Sequence, residues 1–294
     1  MSTTHKAGFI SIIGKPNVGK STLMNALLGE QLSVVTPKAQ TTRHRIKGIL
    51  NAPDYQLIFS DTPGIMKPAY KLHERMLGSV DATIADADAV MLVVEVHERG
   101  LSPEIESRLL KSEAPLVMVI NKIDLSEQEL LEERVKMWDE LLHPIAIIPV
   151  SALENFNIEA IVETLVRLIP EHPAYFDKDD LSDRNVRFFV QEMIREKLLL
   201  QYKKEIPYSC EVLVQEFKEG AVTDVIRCDI YVDRESQKAI LLGHKGTAIK
   251  NLGIASRTAI EKFTGKKAHL ELTIKVKGDW RNDEKQLDQF GYKD

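Results

Sequence analysis

The stretch GKPNVGKS, Gly14 to Ser21, restricts what this chain can fold into more than any other. It follows the apolar run FISII (9–13) and opens a helix-like segment from about residue 20. A glycine, four residues and then Gly-Lys-Ser, set between a strand and a helix, is a phosphate-binding loop. Its glycines let backbone N–H groups converge on phosphate oxygens, and the helix N-terminus adds a partial positive charge. Lys20 is expected to reach the β- and γ-phosphates, and Ser21 to hold Mg²⁺. Lys15, Pro16, Asn17, Val18, Gly19 and Thr22 complete the expected cradle.

Such a loop belongs at the carboxyl end of a strand in a crossover-connected sheet. The chain supplies that sheet. FISII, YQLIF (55–59), AVMLVV (89–94), LVMVI (116–120) and AIIPV (146–150) read as buried strands. Helix-like segments lie near 20–28, 71–85, 103–112, 127–142 and 157–168. Continuous apolar runs alternating with amphipathic ones predict an α/β domain with a mainly parallel sheet, over residues 1–172.

Three further motifs fall at strand ends. LIFSDTPG places Asp61 where it can serve Mg²⁺, with Thr62 and Pro63 leading to Gly64, whose bare backbone N–H can approach a γ-phosphate. That contact separates a triphosphate from a diphosphate state. NKID ends another strand with Asn121, Lys122, Ile123 and Asp124. A carboxylate there accepts from guanine N1–H and the exocyclic amine, donors that adenine does not offer. Ser151, Ala152 and Leu153 follow the next strand, and their backbone N–H groups can meet guanine O6. In this order the motifs select GTP over ATP.

The character of the chain changes at 170–185, PEHPAYFDKDDLSDRN, which reads as a linker (173–185). The remaining 186–294 reads as a smaller α+β domain. It has a helix-like VRFFVQEMIREKLLLQ, strands CEVLVQEFK and VIRCDIYVD, the run KAILLG, the loop GHKG, a long helix and a last strand HLELTIKV. Net charge is −5, but Lys238–Arg281 carries 10 basic residues against 3 acidic ones. Clustered basic charge points to a nucleic-acid partner. Taken alone, GHKG is also compatible with a plain turn at a strand end. It lacks a following Gly-Lys-Ser/Thr, which argues against a second phosphate loop.

Two cysteines, Cys210 and Cys228, in strand-like runs read as buried free thiols. No window approaches ~18 apolar residues, so no membrane span is expected. The expected location is the cytoplasm, with peripheral contact at the inner face of the membrane left open.

GKPNVGKS, DTPG, NKID and SAL resemble the G1, G3, G4 and G5 boxes of translation-factor-class GTPases. KAQTTRHRIKG (38–48) is similar to switch I of the Era family, and TAIKNLGIASRTAIEKFTGKKAHLELTIKV (247–276) to the core of that family's KH domain. The resemblance implies that Thr42, with Thr41 the alternative, completes Mg²⁺ coordination. It implies that Lys20, Thr42 and Gly64 carry hydrolysis of GTP to GDP. A KH domain clamps about four single-stranded nucleotides with its Gly-x-x-Gly loop, here Gly243, His244, Lys245 and Gly246. Lys250, Arg257, Lys266 and Lys267 are further candidates for RNA contact.

By the same resemblance, the RNA is the 3′ end of 16S ribosomal RNA, and the role is assembly or maturation of the 30S subunit by a monomeric switch. The residue after DTPG is Ile65 in place of a water-orienting glutamine, so slow intrinsic turnover stimulated by a partner is expected. Asn17 is a candidate ligand for K⁺, or else a local loop tie. A signalling or cell-cycle GTPase whose C-terminal domain binds protein or membrane is the rival reading, and a static RNA scaffold the third.

Overall fold

The computed structural model describes residues 5–38 and 40–292. Ala39, within the switch I run, and the last two residues of the chain lie outside them. The described chain divides into two compact units, residues 5–68 with 76–183 and residues 69–75 with 184–292.

The first unit is built on strands β1 (Lys6–Ile13), β2 (Ile46–Asn51), β3 (Tyr55–Asp61), β4 (Ala89–Glu95), β5 (Leu116–Asn121) and β6 (Ala146–Pro149). Their order in the sheet is β2-β3-β1-β4-β5-β6. All neighbours run parallel except β2, which pairs antiparallel with β3. Helices α1 (Lys20–Leu28), α2 (Lys71–Ala85), α3 (Pro103–Leu109), α4 (Gln128–Leu142) and α5 (Ile158–Leu168) supply the connections. β4 is buried through six consecutive residues, Ala89–Val94. A strand covered on both faces has this continuous apolar pattern.

β2 is the strand that sequence patterning does not separate from the loop before it. It lies at the sheet edge, and its half-buried positions, Lys47, Leu50 and Asn51, mix polar and apolar residues. It also contains Gly48, where a Cβ would stand 2.5 Å from Leu28 Cδ1. The segment expected to be a linker is not free. Residues 171–176 pass the ends of β1 and β3, and residues 180–183 lie along this edge. Ile49 N donates to Leu181 O at 3.0 Å, and Ser182 Oγ donates to Lys47 O at 2.6 Å. Gln56 Oε1 accepts from Tyr175 N and Phe176 N at 2.7 and 3.0 Å. An edge strand offers unpaired backbone groups, and this strap takes them up.

The second unit holds α6 (Val186–Gln201), β7 (Glu211–Lys218), β8 (Thr223–Val232), α7 (Glu235–Leu242), α8 (Thr247–Thr264), β9 (Lys267–Val276) and α9 (Glu284–Gln289). β7 and β8 are antiparallel, and β9 runs parallel to β8. The core joins Val190, Ile194 and Leu198 of α6 to Val212, Ile230, Leu252 and Ile260. Cys210 and Cys228 are buried free thiols within it. KAILLG is helical rather than extended: its first five residues finish α7, so the glycine loop joins two helices. Leu241 is buried on that helix while Ile240 and Leu242 face outward. A run this short does not reveal its period from sequence alone. The tail, uninformative as sequence, is docked. Trp280 is fully buried with Nε1 donating to Ser209 O at 3.0 Å, and Tyr292 donates to Glu211 Oε2 at 2.7 Å.

The two tryptophans, Trp138 and Trp280, are buried in different units, so each reports on one. Ile194→Ala in a Trp138→Phe background should lower the stability read by Trp280 emission in urea by about 2–5 kcal/mol, the usual cost of emptying a core position. A change below about 1 kcal/mol would contradict the packing described.

Candidate nucleotide site and glycine-framed loop

The phosphate loop needs its glycines for two reasons. Gly14 and Gly19 adopt φ of +154° and +98°. Cβ atoms there would lie 2.4 Å from Val93 O and 2.2 Å from Asn121 Nδ2. Gly19 leads directly into α1, so Lys20 and Ser21 begin the helix. Lys20 is buried and folds back on the loop, donating to Gly14 O at 3.2 Å and Lys15 O at 2.9 Å. Burial pushes its ammonium down to about 8, against the pull of Asp61 and Glu98. A phosphate would restore the full charge. Lys15 is held aside by Glu98 at 2.7 Å. Asn17 takes a left-handed φ of +66° and donates from Nδ2 to Pro37 O at 3.5 Å.

Three hard oxygens converge beside Lys20. Ser21 Oγ donates to Asp61 Oδ2 at 2.7 Å, Thr42 Oγ1 to the same oxygen at 3.2 Å, and the two hydroxyls are 2.9 Å apart. Asp61 is fully buried. Burial raises its pKa, opposed by the Lys20 charge and by hydrogen bonds from hydroxyl groups. Two hydroxyls and a carboxylate gathered this closely suit Mg²⁺, which takes oxygen ligands and keeps several waters. Of the Thr-Thr pair, Thr42 is the one brought here. Thr41 Oγ1 instead donates to Lys38 O at 2.7 Å and fastens the loop on itself.

After Asp61, Thr62 donates to Ile12 O at 2.7 Å. Gly64 then passes so close to Pro16 that a Cβ would meet its Cα at 2.7 Å. Ile65 donates its N–H to Gly14 O at 3.0 Å, and its side chain is 2% exposed within the apolar core.

Asn121 ties the base end together. Its Nδ2 donates to Val18 O at 2.9 Å, and its Oδ1 accepts from Ala152 N at 3.0 Å. The Ala152 N–H is therefore engaged, which no motif in the sequence foretells. Lys122 reaches Asn17 O at 2.7 Å and pairs with Glu95, so its stem lies across the cavity. Ile123 N donates to Val150 O at 3.3 Å, and Ser151 Oγ accepts from Glu154 N at 3.2 Å. Asp124 and Leu153 are exposed at the rim. The cavity so framed measures about 620 Å³ and runs from Asp124 to Gly64. Val34, Thr36 and Gln40 also line it. Gln40 belongs to the switch I run, and Val34 and Thr36, just before it, match no motif that would have drawn attention to them.

In the second unit, Gly243 ends α7 with φ +70°, and a Cβ there would lie 2.6 Å from Ala248 Cβ. Lys245 and Gly246 are left-handed at +49° and +76°. His244 and Lys245 are exposed, and Thr247 Oγ1 donates to His244 O at 2.9 Å as α8 begins. Lys250 and Arg257, seven residues apart on α8, share one exposed side of it. Lys266 and Lys267 lie beyond the far end of that 18-residue helix, about 27 Å from the loop at 1.5 Å per residue. Lys267 is within 3.8 Å of Glu261. The loop, Lys250 and Arg257 thus form one group, and Lys266 and Lys267 do not join it.

Residues 9–122 match the family of 50S ribosome-binding GTPases, and residues 205–281 match the KH domain family. GTPase Era of Staphylococcus haemolyticus is 41% identical over 293 residues, covering 99% of this chain and 98% of that protein. GTPase Era of Syntrophus aciditrophicus is 44% identical over 297 residues, covering 99% and 96%. A crystal structure of Era with MgGDPNP and nucleotides 1506–1542 of 16S ribosomal RNA superposes with a TM-score of 0.91. It is 35% identical and covers 98% of this chain and 99% of that one. No helix among the described residues is long and apolar enough to cross a membrane.

Replacing Asp124 by Asn turns an acceptor of two guanine donors into an amide. Loss of two charge-assisted hydrogen bonds, each about 1.5–3 kcal/mol, should weaken GDP binding by roughly 100-fold or more and favour xanthine nucleotides, whose C2 carbonyl accepts. Fluorescent-nucleotide titration measures both. Unchanged preference for guanine would remove Asp124 from the base site.

Proposed function

Because this chain belongs to the Era family of GTPases, we propose that it is a GTP-hydrolysing switch whose KH domain grips the 3′ end of 16S ribosomal RNA during assembly of the 30S subunit. The observation that carries the reading is the pair of sites on one chain. A phosphate loop beside a magnesium-type oxygen cluster suits a nucleoside triphosphate, and a left-handed glycine loop with a basic helix face suits an RNA backbone. The choice of RNA is supported by the relative crystallised with nucleotides 1506–1542.

In this reading Ser21, Thr42 and Asp61 would hold Mg²⁺. The Asp61 carboxylate is close enough to both hydroxyls to orient them toward the ion. Magnesium would bridge and neutralise the phosphates. Lys20 would leave the loop carbonyls for the phosphates, and the Gly64 N–H would register the γ-phosphate. Gly243, Gly246, His244 and Lys245 would take the RNA backbone, with Lys250 and Arg257 continuing the track. The chain would act as a cytoplasmic monomer, and a peripheral membrane contact is not needed by any of these roles.

Asn17 would lend its side chain to K⁺ beside the phosphates, releasing Pro37 O to do so. Hydrolysis should then be several-fold faster in K⁺ than in Na⁺ at equal ionic strength, and equal rates would reduce Asn17 to a loop tie.

Gly246→Asp isolates the RNA grip. The site has open space where a Cβ would go, and aspartate tolerates the left-handed backbone. The fold should survive while a carboxylate meets the incoming phosphates. RNA affinity should fall at least about tenfold, or 1.4 kcal/mol, with nucleotide binding unchanged. Intact affinity for the 16S 3′-end oligonucleotide at fixed salt would contradict the proposal.

A further inference from the structure

Hydrolysis requires a group that orients the attacking water, and Ile65 cannot be it, being packed into the apolar core. Switch I supplies a neutral amide in its place. Gln40 lines the same cavity as Lys20, Thr42 and Gly64. Its Nε2 lies 4.0 Å from Met66 Sδ, two residues beyond Gly64, so the amide stands beside the segment that follows DTPG. Its backbone is left-handed, φ +57°, a conformation that costs a non-glycine residue on the order of 1–3 kcal/mol. The neighbouring threonines hold it there. Thr41 is fastened to Lys38 O, Thr36 Oγ1 lies 3.3 Å from Thr41 Oγ1, and Thr42 is drawn in to Asp61. Maintained strain beside a reaction site is a mark of function.

We propose that Gln40 positions the water that attacks GTP. The water oxygen forms a bond to the γ-phosphorus as the bond from phosphorus to the β–γ bridging oxygen breaks. GDP leaves with that electron pair, and one water proton passes to a phosphate oxygen. Gln40 stays neutral throughout, its Oε1 accepting from the water and its Nε2 donating to a phosphate oxygen only as negative charge develops there in the transition state. The inference rests on the hydrolytic reading of the nucleotide site and is independent of the RNA assignment.

The test is single-turnover hydrolysis of preloaded GTP by the full chain, with affinity for a GTP analogue measured alongside. Gln40→Ala removes the amide. Gln40→Met keeps length and volume but not the hydrogen bonds. Both variants should hydrolyse roughly 100-fold more slowly, as on removal of one transition-state donor, with analogue affinity within about threefold of the parent. A parental rate in the Met variant would overturn the proposal, whatever the Ala variant does, by showing that only packing matters. A parallel loss of analogue affinity would overturn it too, by placing Gln40 in nucleotide binding. Hydrolysis by the parent chain in the same assay keeps the GTPase reading separate from either result.

Discussion

At the end of β3 a fully buried carboxylate, that of Asp61, collects Ser21 from α1 and Thr42 from the loop before β2. Stripping water from a charged group costs several kcal/mol unless partners replace it. Here those partners come from the phosphate loop on one side and switch I on the other. The carboxylate therefore makes the position of switch I depend on what fills the cavity. A divalent ion bound at these oxygens rewards the folded-in loop. Without one, the carboxylate is held by Lys20 and by hydroxyl donors, and burial raises its pKa. The rest of the site is arranged around this gathering: Thr41 is left to fasten the loop, and Gln40 lines the cavity.

Thr42 is also four residues from the start of β2, and β2 carries residues 180–183 of the strap on its outer edge. A movement of switch I would thus act on an edge strand whose backbone groups are shared with the segment leading to residue 184. The path is short: the chain runs from Thr42 into β2, which meets the strap through the backbone bond from Ile49 N to Leu181 O and through side-chain bonds such as that of Ser182. It gives the nucleotide state a physical route from the cavity to the segment by which the chain leaves the first unit.

The features legible in the sequence share one cause. The parallel strands are buried on both faces, so their apolar runs stand out, and Gly14, Asp61, Asn121 and Ser151 come at their ends. β2 and α7 are hidden because neither shows its period: β2 is a short edge with Gly48 in it, and KAILL is too brief for a helix and a strand to differ. The tail looks uninformative because Trp280 and Tyr292 are scattered among charges, and only packing reveals them as anchors. The preference for Thr42 over Thr41 comes from the family resemblance, since adjacent threonines are equivalent by residue type, and the coordinates add that Thr42 meets Asp61 while Thr41 meets Lys38 O. The coordinates also separate Lys250 and Arg257 from Lys266 and Lys267, where helix length decides. Gln40 lies within the switch I run, yet only the cavity wall singles it out from its neighbours.

The central claim is that the nucleotide sets the grip on RNA. Its direct test is the affinity of the full chain for an oligonucleotide carrying the 16S 3′ end, compared between a GTP analogue and GDP at one salt concentration, because phosphate contacts make affinity salt-dependent. The account predicts binding at least ~10-fold tighter with the analogue, a coupling of about 1.4 kcal/mol. Equal affinity in both states would contradict it and leave an RNA-binding scaffold that happens to hold a nucleotide.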